Sequence, residues 1–188
     1  MKPMKPMKPM KPMKAIFTAC LLLAAVGAQA APEKFKSVDQ MMEEFGDFTK
    51  EKNGYELISK SPLHIRVSAL TVPDDLVDTV QASNQRALVY GVYRTFINTN
   101  ADKVTVTAIP AQVTLDGKNK RPHLLSDIKL TVTKTRQQAM KDMSRFIKIK
   151  SMNELVDQDD FWTDKFENDV YYNKAILPQL VQVMISSK

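Results

Sequence analysis

The stretch that decides the fold is residues 63–98, LHIRVSALTVPDDLVDTVQASNQRALVYGVYRTFIN, because the spacing of its apolar residues changes from that of a strand to that of a helix. Apolar and polar residues alternate in the first part of this stretch, which predicts a strand buried on one face. From position 76 to position 96 the apolar residues recur every three or four positions, which predicts a long helix. A strand followed at once by a long helix is therefore the expected nucleus of the fold.

The start of the long helix and one interruption within it are visible in the sequence. Thr71 and Asp74 form a capping pair, and Pro73 suits the first turn of a helix because its missing N–H would have no partner there. Gly91 interrupts the apolar stripe, although glycine costs about 1 kcal/mol relative to alanine inside a helix. We therefore expect another element to approach the helix closely at Gly91.

Two further strands are predicted after the long helix. Residues 103–115 are rich in valine and threonine, and Pro110 within them indicates a bulge or an edge position. Residues 128–133 alternate between apolar and polar side chains. A turn beginning at Asp116-Gly117 separates the two segments, so they are expected to form an antiparallel hairpin.

Shorter helices are predicted at both ends of the chain. A capping box that begins at Ser37 starts the first helix, which we expect to end at Asn53-Gly54. Capping pairs that begin at Thr135 and Ser151 start two more helices, and Pro178 opens a last apolar segment. The resulting order predicts an α+β domain, in which one long helix and several shorter helices pack a small three-stranded, largely antiparallel sheet.

Residues 1–30 have the pattern of a secretory signal peptide. Four Met-Lys-Pro repeats precede Met13, and a short positive start is followed by an apolar run from Ala15 to Val26. Small residues at Ala28 and Ala30 predict cleavage before Ala31. Because the run is shorter than the roughly 20 residues that span a bilayer, we expect no stable membrane anchor. The predicted mature protein is a single globular domain, residues 31–188, exported to the periplasm in preference to the extracellular medium.

The charge of the chain depends on whether this segment is included. The full sequence has 27 Lys and Arg against 21 Asp and Glu, but residues 1–30 hold five of the lysines and no acid. The remaining balance of 22 against 21 is nearly neutral, which argues against a nucleic-acid partner. The one cysteine, Cys20, also lies in this segment, so the mature domain is expected to contain no disulfide, no thiolate nucleophile and no Cys-ligated metal.

Candidate catalytic and metal-binding residues are few. His64 and His123 are the only histidines, and no second metal ligand stands at a typical spacing from either. The acidic cluster at residues 157–160 lacks the spacing of a calcium loop, so we interpret it as carboxylates at a helix start. Ser126 and Lys129 have the Ser-x-x-Lys spacing but lie at the start of a predicted strand, which separates their side chains. No cofactor or metal is therefore predicted.

One basic cluster falls at the predicted hairpin tip. Its members are Lys118, Lys120, Arg121 and His123. No aromatic residue that could stack on bases lies among them, so a solvated tip is the favoured interpretation over a phosphate or lipid contact.

Aromatic residues concentrate among acidic ones near the C-terminus. The predicted partner-binding residues are Phe161, Trp162, Tyr171 and Tyr172. Tryptophan and tyrosine are common anchors in protein interfaces. The sequence therefore favours an exported, non-catalytic protein that binds another protein, as an accessory part of a bacterial envelope or secretion assembly. The alternatives are an exported hydrolase that pairs Asp or Glu with a histidine, and a small-ligand carrier with a pocket near Gly91.

Overall fold

The computed structural model describes residues 31–113 and 122–187. The predicted signal peptide, with its Met-Lys-Pro repeats and Cys20, lies outside these residues. Three members of the basic cluster, Lys118, Lys120 and Arg121, also lie outside them, whereas His123 is described.

The described residues form an α+β fold. The strands are β1 (Tyr55–Lys60), β2 (Leu63–Val67), β3 (Leu70–Thr71), β4 (Lys103–Ala108), β5 (Ala111–Gln112), β6 (His123–Leu124) and β7 (Leu130–Thr135). The α-helices are α1 (Val38–Phe45), α2 (Val77–Asn98), α3 (Arg136–Met143), α4 (Asp164–Phe166) and α5 (Ile176–Ser186). Short 3₁₀ helices cover Ser126–Ile128 and Met152–Leu155, and a π-helical turn covers Glu167–Tyr171.

The main sheet differs from the predicted one in strand number and direction. It has four strands in the order β1-β2-β4-β7, and the neighbours β2 and β4 are parallel. The predicted number of three strands is therefore wrong, and the sheet is mixed, although its pairings β1-β2 and β4-β7 are antiparallel. The parallel pair arises because α2 connects β2 to β4, and a helical crossover returns the chain in the same direction. The antiparallel pairing of β4 with β7 agrees with the prediction.

A second sheet of three strands, in the order β3-β5-β6, continues from the first. Hydrogen bonds continue the pairing of β2 with β4 toward the pairing of β3 with β5, since Ile109 N donates to Val67 O at 3.1 Å and Ala111 N donates to Ala69 O at 2.9 Å. Pro110 lies at the break between β4 and β5, because it has no N–H to give to a ladder. The described part of the predicted strand, residues 103–113, is thus divided in two, whereas residues 114–115 and the predicted turn at Asp116-Gly117 lie outside the described residues.

Two helix ends differ from the prediction. Helix α1 ends at Phe45, and Gly46 adopts a φ of 72° that closes it, so the expected end at Asn53-Gly54 is wrong. Strand β1, which was not predicted, begins at Tyr55, beyond both the observed and the expected end of this helix. Helix α2 starts at Val77 instead of near Thr71, because the Asp75 carboxylate accepts hydrogen bonds from the Thr71 hydroxyl and from Val72 N in a preceding turn.

Helix α2 is the centre of the core. It contacts β4 and β2 on one side, and α1, α5 and the 3₁₀ helix Met152–Leu155 on others. Its second half is consequently buried almost all around, from Ala87 to Asn98. A Cβ atom added at Gly91 would lie 2.7 Å from Val106 Cγ1, which confirms the predicted close approach and places it against β4.

The exposed edge at β1 is irregular. The register between β1 and β2 shifts between Leu57 and Ser59, so that Ile58 is an extra residue on the edge strand. The bulge bends the strand locally, as bulges at sheet edges commonly do.

Candidate functional site

The aromatic segment, residues 157–172, divides into a buried part and an exposed part. Among the four predicted partner-binding residues, Tyr171 is 7% exposed and Trp162 is partly buried. Phe161 and Tyr172 are 69% and 56% exposed. Only the second pair is available on the surface of the described chain.

Trp162 packs on a buried cation. The Arg94 guanidinium lies 3.9 Å from the centroid of the Trp162 ring and 4.7 Å from that of Phe45. Arg94 Nη1 also lies 4.0 Å from Asp160 Oδ1. Burial lowers the pKa of Arg94, while the neighbouring Tyr90 and Asp160 act in the opposite direction. Trp162 therefore takes part in holding the aromatic segment against α2.

Tyr171 completes this buried cluster. Its ring centroid lies 5.8 Å from that of Trp162 and 5.6 Å from that of Phe166. Burial raises the pKa of the Tyr171 hydroxyl well above its ordinary value, as expected of a phenol removed from water. The tyrosine packs as a core residue.

Tyr172 points to the surface, and its ring has two supports. The ring centroid lies 5.1 Å from that of Tyr171 in an edge-to-face arrangement. The guanidinium carbon of Arg86, on α2, lies 5.5 Å from the same ring. Tyr172 is thus an exposed aromatic residue that packs against both a buried ring and a cation.

A groove of about 590 Å³ lies beside Tyr172, between α2 and the chain that leads into α5. We call it the Tyr172 groove. Its lining residues are Asp78, Thr79, Gln81, Ala82, Gln85, Arg86, Tyr172, Asn173, Lys174, Leu177 and Pro178. Apolar side chains and the polar ends of glutamines and cations share its walls, a mixture typical of recognition sites.

The acidic cluster forms a turn, so its interpretation as a helix start is wrong. Asp157 Oδ1 accepts hydrogen bonds from Asp159 N and Phe161 N, both at 2.9 Å. Asp160 accepts from Glu33 N and from Asn98 Nδ2, both at 2.8 Å, which joins the N-terminal segment to the aromatic segment. Within residues 31–113 and 122–187, no group of three or more acidic, histidine or cysteine side chains could hold a metal ion.

The histidines lie apart from this groove. His64 Nε2 is 2.9 Å from Thr107 Oγ1 on the face of the main sheet opposite α2, and His123 is exposed on β6. In the part of the chain that the structure describes, neither histidine forms a hydrogen bond or ion pair with a carboxylate. Ser126 starts a 3₁₀ helix rather than a strand, and Lys129 closes that helix through its backbone N–H.

A polar cavity near β1 and the space beside Gly91 bear on the hydrolase and small-ligand-carrier alternatives. The polar cavity of about 500 Å³ near β1 contains two cations, each with a carboxylate partner: Lys50 Nζ lies 2.8 Å from Asp39 Oδ1, and Arg66 Nε lies 2.9 Å from Glu56 Oε2. The space beside Gly91, where a ligand pocket was expected, is filled by side chains of Val106 and Val67.

Comparison with known proteins gives no relative from which a function could be transferred. A scan of family models and searches among curated proteins and solved structures returned no match to this chain. Among the described residues, no helix has the length and apolar character needed to cross a membrane.

The cationic side of the groove is not evident from the sequence. Arg86 and Lys174 are far apart in sequence, and nothing in the residues around either one distinguishes it from an ordinary surface cation. The available signal was the position of Tyr172 two residues before Lys174, at the start of the last apolar segment. The contribution of α2 depends on how α5 packs against it, which local sequence does not encode.

Proposed function

We propose that this chain is an exported, non-catalytic protein that binds another protein through the Tyr172 groove, as an accessory part of a bacterial envelope or secretion assembly. The observation that carries the proposal is the exposed Tyr172 ring, packed on Tyr171 and Arg86 at the edge of an open groove. Tyrosine and arginine are among the residues most often found as anchors of protein interfaces.

The packing of the Tyr172 ring against its own chain favours the binding of a partner protein. Tyr172 packs between Tyr171 and Arg86 before any partner arrives, so little side-chain entropy is lost on association. The floor of the groove includes Ala82, Leu177 and Pro178, which offer apolar surface to a partner side chain. A supported aromatic next to an apolar floor suits a protein segment better than it suits a reacting small molecule.

The non-catalytic part of the proposal rests on the chemistry of the groove. Its lining contains no histidine or cysteine, and Asp78 is its one carboxylate. General acid–base catalysis needs a group placed within hydrogen-bond reach of the group that it protonates or deprotonates. The lining residues offer no nucleophile with an adjacent base, which supports a binding role over the hydrolase alternative.

The proposed export rests on residues 13–31, where a positive start, an apolar run and small residues precede Ala31. N-terminal sequencing of the protein recovered from the bacterial envelope fraction tests it. Export with cleavage gives Ala31 as the first residue. Recovery of the intact N-terminus from the cytoplasm would contradict this part of the proposal.

Partner binding is tested by cross-linking in the producing cells, identification of the cross-linked protein and measurement of its affinity for purified variants. Tyr172→Ala should weaken that affinity by about tenfold or more, because truncating an interface anchor costs upward of about 2 kcal/mol. Ile58→Ala is the matched control, since Ile58 is 48% exposed on β1, away from the groove. Tyr172 is preferred to Trp162 for this test because Trp162 packs on Arg94.

Unchanged affinity of a folded Tyr172→Ala variant would overturn the assignment of this surface. The thermal unfolding of each variant is measured first, so that loss of binding is separated from loss of fold. A Phe161→Ala variant shows whether the second exposed aromatic residue belongs to the same interface.

A further inference from the structure

The Tyr172 end of the groove carries two cations without a carboxylate partner among the described residues. Arg86 donates one hydrogen bond, from Nη2 to Ser83 Oγ at 3.0 Å, whereas a guanidinium has five N–H donors. Lys174 lines the same groove, and neither cation forms an ion pair with any carboxylate in the described ranges. The cations of the polar cavity near β1, in contrast, are both paired.

Asp78, the one acidic residue that lines the groove, lies at the end away from Tyr172. Asp78 precedes Arg86 by eight positions on α2, which corresponds to about 12 Å along the helix axis. The groove is therefore basic beside Tyr172 and acidic near the start of α2. An occupant that matches this distribution places a carboxylate near Arg86 and keeps its negative charge away from Asp78.

We propose that the Tyr172 groove binds an acidic segment of the partner protein, with a carboxylate at Arg86 and Lys174 and an adjacent apolar side chain against Leu177 and Pro178. This inference rests on the proposed function, since it assumes that the groove binds a protein. Charge-assisted hydrogen bonds from a guanidinium to a carboxylate are short and directional, and they fix the register of a bound segment. The apolar neighbour buries surface in the floor and contributes the non-electrostatic part of the affinity.

A second copy of this chain fits the groove less well. Its exposed Phe161 stands beside acidic residues, but Asp157 and Asp160 already accept hydrogen bonds within their own chain. Of the neighbouring carboxylates, Asp159 and Asp164 would be left, and the exposed Lys165 beside Asp164 would bring a further positive charge toward Arg86 and Lys174. We therefore favour a different protein as the occupant.

The test uses the chain from Ala31 to Lys188, which contains every described residue, and two synthetic peptides. The first is acetyl-Asp-Glu-Leu-Phe-Asp-Glu-amide, and the second replaces each acid by its amide. We expect the acidic peptide to bind about tenfold more tightly, with NMR shifts at the Tyr172 ring and the Arg86 side chain. The difference should shrink when NaCl is raised from about 50 mM to about 500 mM, because salt screens exposed charges.

Variants assign the effect to the groove. Arg86→Gln should remove most of the preference for the acidic peptide, while Arg145→Gln, at an exposed arginine outside the lining, should leave it intact. Equal binding of the two peptides, or an acidic preference that survives Arg86→Gln and Lys174→Gln together, would overturn the inference.

Two further outcomes separate this inference from the proposed function. If neither peptide binds while a cross-linked partner still depends on Tyr172, the acidic-segment inference is wrong and the partner-binding proposal stands. If sedimentation shows concentration-dependent self-association that is abolished by Phe161→Ala, a second copy is the occupant and the inference is again wrong. If neither the peptides nor any cellular partner depend on Tyr172, both proposals fail.

Discussion

Lys134 Nζ lies 3.0 Å from Asp142 Oδ2, and only 1% of each side chain is exposed. Lys134 belongs to β7 and Asp142 to α3, so this ion pair joins the edge of the main sheet to the helix that covers it. Ser187 completes the site near the C-terminus, because its hydroxyl donates to Asp142 at 2.8 Å and its carbonyl accepts from Lys134 at 2.7 Å.

Removal of one partner of this pair should strongly destabilise the protein. Lys134→Met is expected to lower the free energy of unfolding by about 3 to 5 kcal/mol, because it leaves the Asp142 carboxylate buried without a counter-charge. The double variant Lys134→Met, Asp142→Leu should regain much of that loss. Urea unfolding measures both, with Lys103→Met at an exposed position of β4 as the control. A double variant as unstable as the single one would contradict this account.

Ser187 should contribute to stability through its hydrogen bonds to the Lys134–Asp142 pair. Ser187→Ala is expected to cost about 1 to 3 kcal/mol, because it removes the hydroxyl that donates to Asp142 and also accepts from Lys134 Nζ at 2.6 Å. The neighbouring Ser186→Ala provides a matched control, because the Ser186 hydroxyl is exposed and bonds within its own helix. The free energies of unfolding are compared under the same conditions. Equal effects of the two substitutions would show that Ser187 does not stabilise the pair.

The close approach of α2 to β4 should make an ordinarily favourable substitution harmful. Gly91→Ala improves helix propensity by about 1 kcal/mol, but its Cβ would lie 2.7 Å from Val106 Cγ1, and overpacking costs about 1 to 3 kcal/mol. We expect a net loss of about 1 kcal/mol in the free energy of unfolding. Adding Val106→Ala removes the obstructing methyl groups. A double-mutant cycle should therefore give a favourable coupling energy, and strict additivity would contradict the predicted clash.

Alkaline pH should destabilise the fold through its buried tyrosines. Burial raises the pKa of the Tyr55, Tyr90, Tyr93 and Tyr171 hydroxyls in the folded protein. Because these phenols ionise near pH 10 when unfolded, their contribution to stability is complete below about pH 10 and is lost as the pH rises toward the folded values. Near-ultraviolet absorbance of tyrosinate, followed together with circular dichroism, tests this. Ionisation of these four residues in a protein that keeps its native dichroism would contradict the prediction.

Local patterns predicted those parts of the fold that depend on local chemistry. The capping boxes at Thr135 and Ser151 are present, and the glycine in the middle of α2 lies against a neighbouring strand. The strand order was not predictable in this way, because the pairing of β2 with β4 joins residues about 40 positions apart through a helical crossover. Strand β1 was not predicted because its bulge places the apolar Leu57 and Ile58 next to each other, which interrupts the alternation that marks a strand.

The candidate site was predictable only in part. The aromatic segment stands out by composition, but its division between core and surface depends on Arg94, which packs under Trp162 from a helix more than 60 residues earlier. Tyr172 acquires its partner Arg86 in the same way. Such pairs form only when α2 packs against the C-terminal helices, so they cannot be predicted from the sequence of either segment alone.

The extra residue at Ile58 has a consequence for the behaviour of the protein in concentrated solution. A strand from a neighbouring molecule that tried to extend the main sheet at β1 would meet an interrupted row of donors and acceptors between Leu57 and Ser59. Irregular edges of this kind oppose the strand-by-strand growth that leads to fibres. The bulge thus acts against aggregation at one open edge of the sheet.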